Sequence, residues 1–152
     1  MTLQELSQTY PALAIHTDML TKAGFETDAD PFKVVAYLIK KGELDSVAAI
    51  IKAGFDVNSA ESGDFGSSLL HNAIRYDQMA IFNYLIEHGA NIDFVDAVGW
   101  TPLMEAIIDS RPEFGKVLVE KGCDQSIANK RGVNAKMLAM KFEKTDFLTF
   151  LA

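Results

Sequence analysis

The chain has 152 residues, 49% of them apolar, and a formal net charge of −7, which suits one domain with a core and disfavours nucleic acid, whose phosphates such a surface would repel. No run of about 18 uninterrupted apolar residues is present, so no membrane span is expected. Met1 to Tyr10 holds Glu5 and neither a basic nor an apolar leader, so no secretory signal is expected, and the single cysteine, Cys123, cannot close an internal disulfide, which suits the cytoplasm.

Residues 1–29 carry an apolar periodicity at Leu13, Met19 and Leu20 that ends at Gly24, and are read as one or two N-terminal capping helices. Asp30-Pro31 then opens a helix with a cap and a proline at the first helical position. Gly42 to Val47, Ile50-Ile51 and Gly54-Phe55-Asp56-Val57-Asn58 complete a helix pair over 31–58. An extended finger, Ser59 to Ser68, leads to a second unit, 66–98, with Ser68-Leu69-Leu70-His71, then Ile81-Phe82 and Tyr84-Leu85-Ile86, then Gly89-Ala90-Asn91.

The third unit, 99–131, is the clearest. Gly99 permits a positive φ, Thr101 is an N-cap and Pro102 takes the first helical position, where its missing N–H is harmless. A short helix runs to about Asp109, Pro112 marks the loop before a second helix to about Glu120 with Phe114, Val117 and Leu118 on its buried side, and Gly122 closes it. Residues 132–152 form a last helix pair, Asn134 to Lys141 and Thr145 to Ala152, without a closing glycine or finger.

These units are in register. Gly89 and Gly122 are separated by an interval of 33, and the same interval separates Ala73, Ala106 and Ala139, and Ser68, Thr101 and Asn134. From Gly54 to Gly89 the interval is 35, so the first finger is longer by two. A period of this size means stacked supersecondary units that bury their apolar faces on one another. Such a stack has no deep pocket and offers one long concave surface, so binding is the expected function.

Thr101-Pro102-Leu103, the constant interval from alanine to glycine (Ala73 to Gly89, Ala106 to Gly122), and the finger that follows resemble the ankyrin repeat over roughly residues 31–152, with Met104 at the usual histidine and no proline after Ser68. The resemblance implies an all-α solenoid of antiparallel helix pairs with β-hairpin-like fingers and terminal capping helices. It implies structural roles for His71, bonded to Ser68 or the turn backbone, for Asp96, bonded to finger backbone, and for Cys123, a small buried thiol at an alanine position. His88, in a last helical turn, needs no role beyond the helix dipole.

Residue types that carry chemistry do not converge. His16, His71 and His88 make no ligand pair, no calcium loop or phosphate-cradling glycine loop is present, and neither a catalytic residue, a metal nor a cofactor is expected. Between Gly54 and Ser110 stand nine acids (Asp56, Glu61, Asp64, Asp77, Glu87, Asp93, Asp96, Glu105, Asp109) against Arg75, a balance of −8, while the rest of the chain is nearly neutral. A basic protein partner is therefore expected, with no nucleic acid or membrane, on an otherwise monomeric chain. The candidate contacts are Asp64, Phe65, Ala97, Val98 and Trp100 on the fingers, and Asn72, Tyr76, Glu105 and Asp109 on the exposed side of each first helix. Trp100 is expected to project toward the partner; the alternative packs it between fingers near Phe65 or Val133. The functional expectation is a stoichiometric inhibitor of a basic partner, in the style of small acidic immunity proteins that neutralise toxins. An intracellular adaptor, or an enzyme with a site on the repeats, are the alternatives.

Overall fold

A computed structural model describes residues 1–63 and 65–152. Ten α-helices and one 3-10 helix are formed among the described residues. The N-terminal cap is α1 (Leu3–Thr9), the 3-10 helix Pro11–His16 and α2 (Thr17–Lys22). Four antiparallel pairs follow: α3 (Pro31–Lys41) with α4 (Leu44–Lys52), α5 (Leu69–Arg75) with α6 (Met79–Glu87), α7 (Pro102–Ile108) with α8 (Pro112–Glu120), and α9 (Ala135–Lys141) with α10 (Thr145–Leu148). The inner row α3, α5, α7 and α9 packs in sequence, each helix on the next, and α4, α6, α8 and α10 form the outer row. This is the helical solenoid that the spacing predicts.

Side-chain caps start the inner helices. Asp30 Oδ1 accepts from the N–H groups of Phe32 and Lys33, and Ser68, Thr101 and Asn134 accept from the N–H groups of His71, Met104 and Met137. Each cap satisfies a backbone donor that the first helical turn leaves free. The outer helices have no such cap. A single left-handed residue precedes each one instead, Gly42 (φ 74), Asp77 (φ 58), Ser110 (φ 54) and Glu143 (φ 53), and folds the chain back so that the next N–H reaches the inner helix, as Gln78 N–H does to Ala73 O at 2.8 Å.

Packing explains the residue sizes. Ala73, Ala106 and Ala139 are fully buried, because at these positions each inner helix lies against its neighbours. Phe82 and Phe114 meet edge to face at 5.0 Å and join α6 to α8. At Gly115 in α8 a Cβ would stand 2.7 Å from the Phe147 ring, so the absence of a side chain lets α10 dock. In the N-terminal cap Leu13 and Leu20 are buried as expected, together with Leu3 and Leu6, which the periodicity did not single out.

No strand is formed among the described residues; the fingers close through isolated antiparallel bridges, Ala60 with Ser68 and Ala128 with Asn134. Their turns repeat. Asp96 Oδ1 accepts from Val98 and Trp100 N–H, and one unit later Asn129 Oδ1 accepts from Arg131 and Val133 N–H. Successive units are also laced through these loops: Asn91 N–H donates to Asn58 Oδ1 at 2.8 Å, Asp124 N–H to Asp93 Oδ1 at 2.8 Å, and Ala97 N–H to Phe65 O at 2.9 Å.

Candidate functional site

The fingers and inner helices bring together part of the expected contact set. Phe65 stands exposed on the first finger, 66% accessible, and Val98 on the second, 40% accessible. Ala97 is exposed beside it and Trp100 is half-buried against the core. Large apolar side chains at a loop tip are kept exposed at a cost, so the cluster is a candidate contact surface. Asp64, expected next to Phe65, lies outside the described residues.

Trp100 takes an intermediate position between the two expectations. One side of it lines a cavity of about 510 Å³ with Ala97, Val98, Asn129, Lys130 and Arg131. The other lines a cavity of about 250 Å³ with Phe65, Arg75, Asp96, Val98 and Glu105. It is a ridge between two hollows, basic on one side and mostly acidic on the other. Its backbone is fixed twice: its N–H donates to Asp96 Oδ1 at 2.8 Å, and its carbonyl faces His71 Nε2 at 3.2 Å.

Two first-helix expectations are corrected. Asn72 is 6% accessible, not exposed, because its amide turns back to donate to Ser68 O at 2.9 Å. Glu105 is 8% accessible; Arg75, one unit earlier, reaches across so that its Nε donates to Glu105 Oε1 at 2.8 Å. An exposed carboxylate cannot be inferred from helix position when the preceding unit offers a guanidinium at the same height. Burial raises the pKa of Glu105 above the usual carboxylate range, Arg75 opposes this, and Asp109 and Asp96 add to it. Tyr76 and Asp109 are partly accessible, and Lys40 lies over the Tyr76 ring at 5.6 Å.

The residues implied to be structural are held as such. Ser68 N–H points to His71 Nδ1, so the ring proton sits on Nε2, which donates to Trp100 O. Desolvation lowers the pKa of His71 to about 4, so the neutral ring is an inter-unit strut. Cys123 is buried and desolvation lifts its thiol to about 11, which keeps it protonated and unreactive at neutral pH. Sequence reasoning did not find the serine that sits on His16, Ser46, whose Oγ is 2.6 Å from Nε2 and which helps to fasten the N-terminal cap to α4. No signal in spacing could have shown it, since the two belong to different elements far apart in the chain.

Comparison with known proteins fits this architecture. Protein phosphatase 1 regulatory subunit 27 of Mus musculus is 32% identical over 94 residues, 62% of this chain and 60% of its own length. Ankyrin repeat and SAM domain-containing protein 6 of Mus musculus is 29% identical over 143 residues, 93% of this chain and 16% of that protein. Protein VAPYRIN-LIKE of Medicago truncatula is 37% identical over 101 residues, 66% of this chain and 20% of that protein. The chain thus spans less than two thirds of the length of each of these relatives. A family profile described as ankyrin repeats (3 copies) matches residues 32–129, more than half of the sequence, and the chain belongs to the ankyrin-repeat family.

Proposed function

We propose that the chain is a non-catalytic protein-binding module that acts as a stoichiometric inhibitor of one basic partner, seated on the concave side against the fingers. The observation that carries this reading is the apolar cluster of Phe65, Val98 and Trp100 at adjoining finger tips, in a fold whose repeats mediate protein–protein interaction. The basic character of the partner is supported by the net charge of −7 and by its concentration between Gly54 and Ser110. Regulation of a partner is supported by the likeness to a protein named as a phosphatase regulatory subunit, and within it an immunity protein that blocks a cationic toxin is the form that the acidity fits best. A monomer in the cytoplasm, with its one thiol buried, completes the reading. Adaptor function is the second reading, favoured by the match of almost the whole chain to a sixth of a much longer SAM-domain protein.

A pull-down from the native cell, read by mass spectrometry and light scattering, tests the proposal. One basic partner at fixed stoichiometry is expected; several unrelated partners would favour the adaptor. In the same assay Trp100→Ala is expected to cost about 2 kcal/mol of affinity and less stability than the roughly 3 to 5 kcal/mol of a fully buried aromatic. Unchanged affinity would move the contact surface elsewhere.

A further inference from the structure

We propose that the hollow between Phe65 and Trp100 takes a single arginine side chain of the partner, its guanidinium against the two rings and its N–H groups on the carboxylates of Asp96 and Glu105. The inference rests on the protein-binding reading and names the chemical group which that surface recognises.

Size comes first. At about 250 Å³ the hollow lies below the range of small-molecule pockets, roughly 300 to 1,000 Å³, and suits one long side chain. Its walls are Phe65, Val98 and Trp100, and its polar lining is Asp96, Glu105 and Arg75. Charge then selects the occupant. Arg75 donates to one oxygen of Glu105 and to Ser67 Oγ, and Asp96 uses Oδ1 for two backbone N–H groups. Among the described residues no donor reaches Glu105 Oε2 or Asp96 Oδ2, and the buried Asp109 Oδ2, on the carboxylate nearest Glu105 in sequence, has no partner either. Two carboxylates, Asp96 and Glu105, therefore share one guanidinium in this lining and leave a local deficit of positive charge.

A second guanidinium fills that deficit. An apolar side chain would desolvate the free oxygens with no hydrogen bond in return. Lysine would bring the charge without the planar fork, whereas arginine stacks on an aromatic face and donates in the plane of a carboxylate at once. Arg75 does not exclude it, because Arg75 pairs with only one of the two acids and its side chain is 38% accessible.

Trp100 is the only tryptophan, so its fluorescence reports on this hollow without ambiguity. The probes are acetyl-Gly-Arg-Gly-amide and the same peptide with lysine, with citrulline (the neutral isostere) or with norleucine. A saturable change in Trp100 emission is expected with the arginine peptide, at a concentration about tenfold lower than with citrulline. Glu105→Gln should weaken the arginine peptide by about fivefold or more. Should that variant fail to fold, Phe65→Ala, at an exposed tip, should weaken it by about threefold. Equal response to citrulline or norleucine, or no saturable response to arginine, overturns the proposal. If the pull-down still yields a stoichiometric partner that depends on Trp100, the binding reading survives that failure; if arginine binds the hollow and no partner is captured, only the broader reading falls.

Discussion

Ala106 is fully buried where α7 meets its neighbours, and the same holds for Ala73 and Ala139. Ala106→Glu would bury a carboxylate with no partner, at a cost of several kcal/mol against a total stability of roughly 5 to 15 kcal/mol; loss of the cooperative thermal transition is the expected result, read by circular dichroism. His71 gives a pH-dependent prediction. Its pKa falls from 6.5 to about 4 because folding strips water from the ring. Above pH 6.5 neither state holds the extra proton and stability is unaffected. Between 6.5 and 4 the unfolded chain takes up a proton that the folded chain refuses, so stability falls as pH falls and the loss levels off below about 4, at about 3 kcal/mol. Urea titrations across that window should show this slope in the native chain and lack it in His71→Met, which copies the residue that the next unit uses, Met104. The inter-unit bond from Nε2 to Trp100 O was not legible in the sequence: the resemblance implied the contact with Ser68, and only folding brings the next finger within 3.2 Å.

At the scale of elements, each helix pair is set by a repeated pattern of caps and turns. The N-cap Thr101 was readable because a hydroxyl before an apolar run has one good use, and the interval of 33 put Ser68 and Asn134 at the same position of their units. The left-handed residues between inner and outer helices were not readable, since glycine occupies only one of the four. Asp77, Ser110 and Glu143 adopt φ values that cost an L-residue about 1 to 2 kcal/mol. Glu143 is exposed, so Glu143→Gly should relieve that strain, offset by about 0.4 to 1 kcal/mol from the extra freedom of glycine in the unfolded chain. A net gain of up to about 1.6 kcal/mol is expected, a rise in Tm of up to roughly 3 to 6 °C, measured by calorimetry. A lower Tm would mean that the turn is held by something other than its backbone geometry.

The solenoid as a whole turns a one-dimensional charge pattern into a surface with different signs at different places. Many acids of the middle units serve the backbone: Asp56 accepts from Asn58 N–H, Asp93 from Asp124 N–H, Asp96 from its finger, while Glu105 answers Arg75 and Asp77 answers Arg111. Their charge still contributes to the long-range field. Association with the captured partner is therefore expected to slow as salt rises, because exposed charges are screened over about 8 Å at physiological ionic strength. Stopped-flow rates from low to high salt provide the measurement, and a flat profile would leave the acidity as a solubility device.

The period, the class of fold, the caps Asp30 and Thr101 and the small residues at Ala73, Ala106 and Ala139 were legible in the order of residues, because each follows from local geometry that recurs along the chain. Which polar side chains remain free is settled only once the units stack. Asn72 and Glu105 occupy helix positions that read as exposed, yet one folds back onto its own cap and the other meets Arg75 from the preceding unit. Trp100 likewise became a ridge between two hollows because fingers from adjacent units close on either side of it. Accessibility and charge pairing depend on neighbours a whole repeat away along the chain, and no local pattern encodes what a neighbouring unit places at that height.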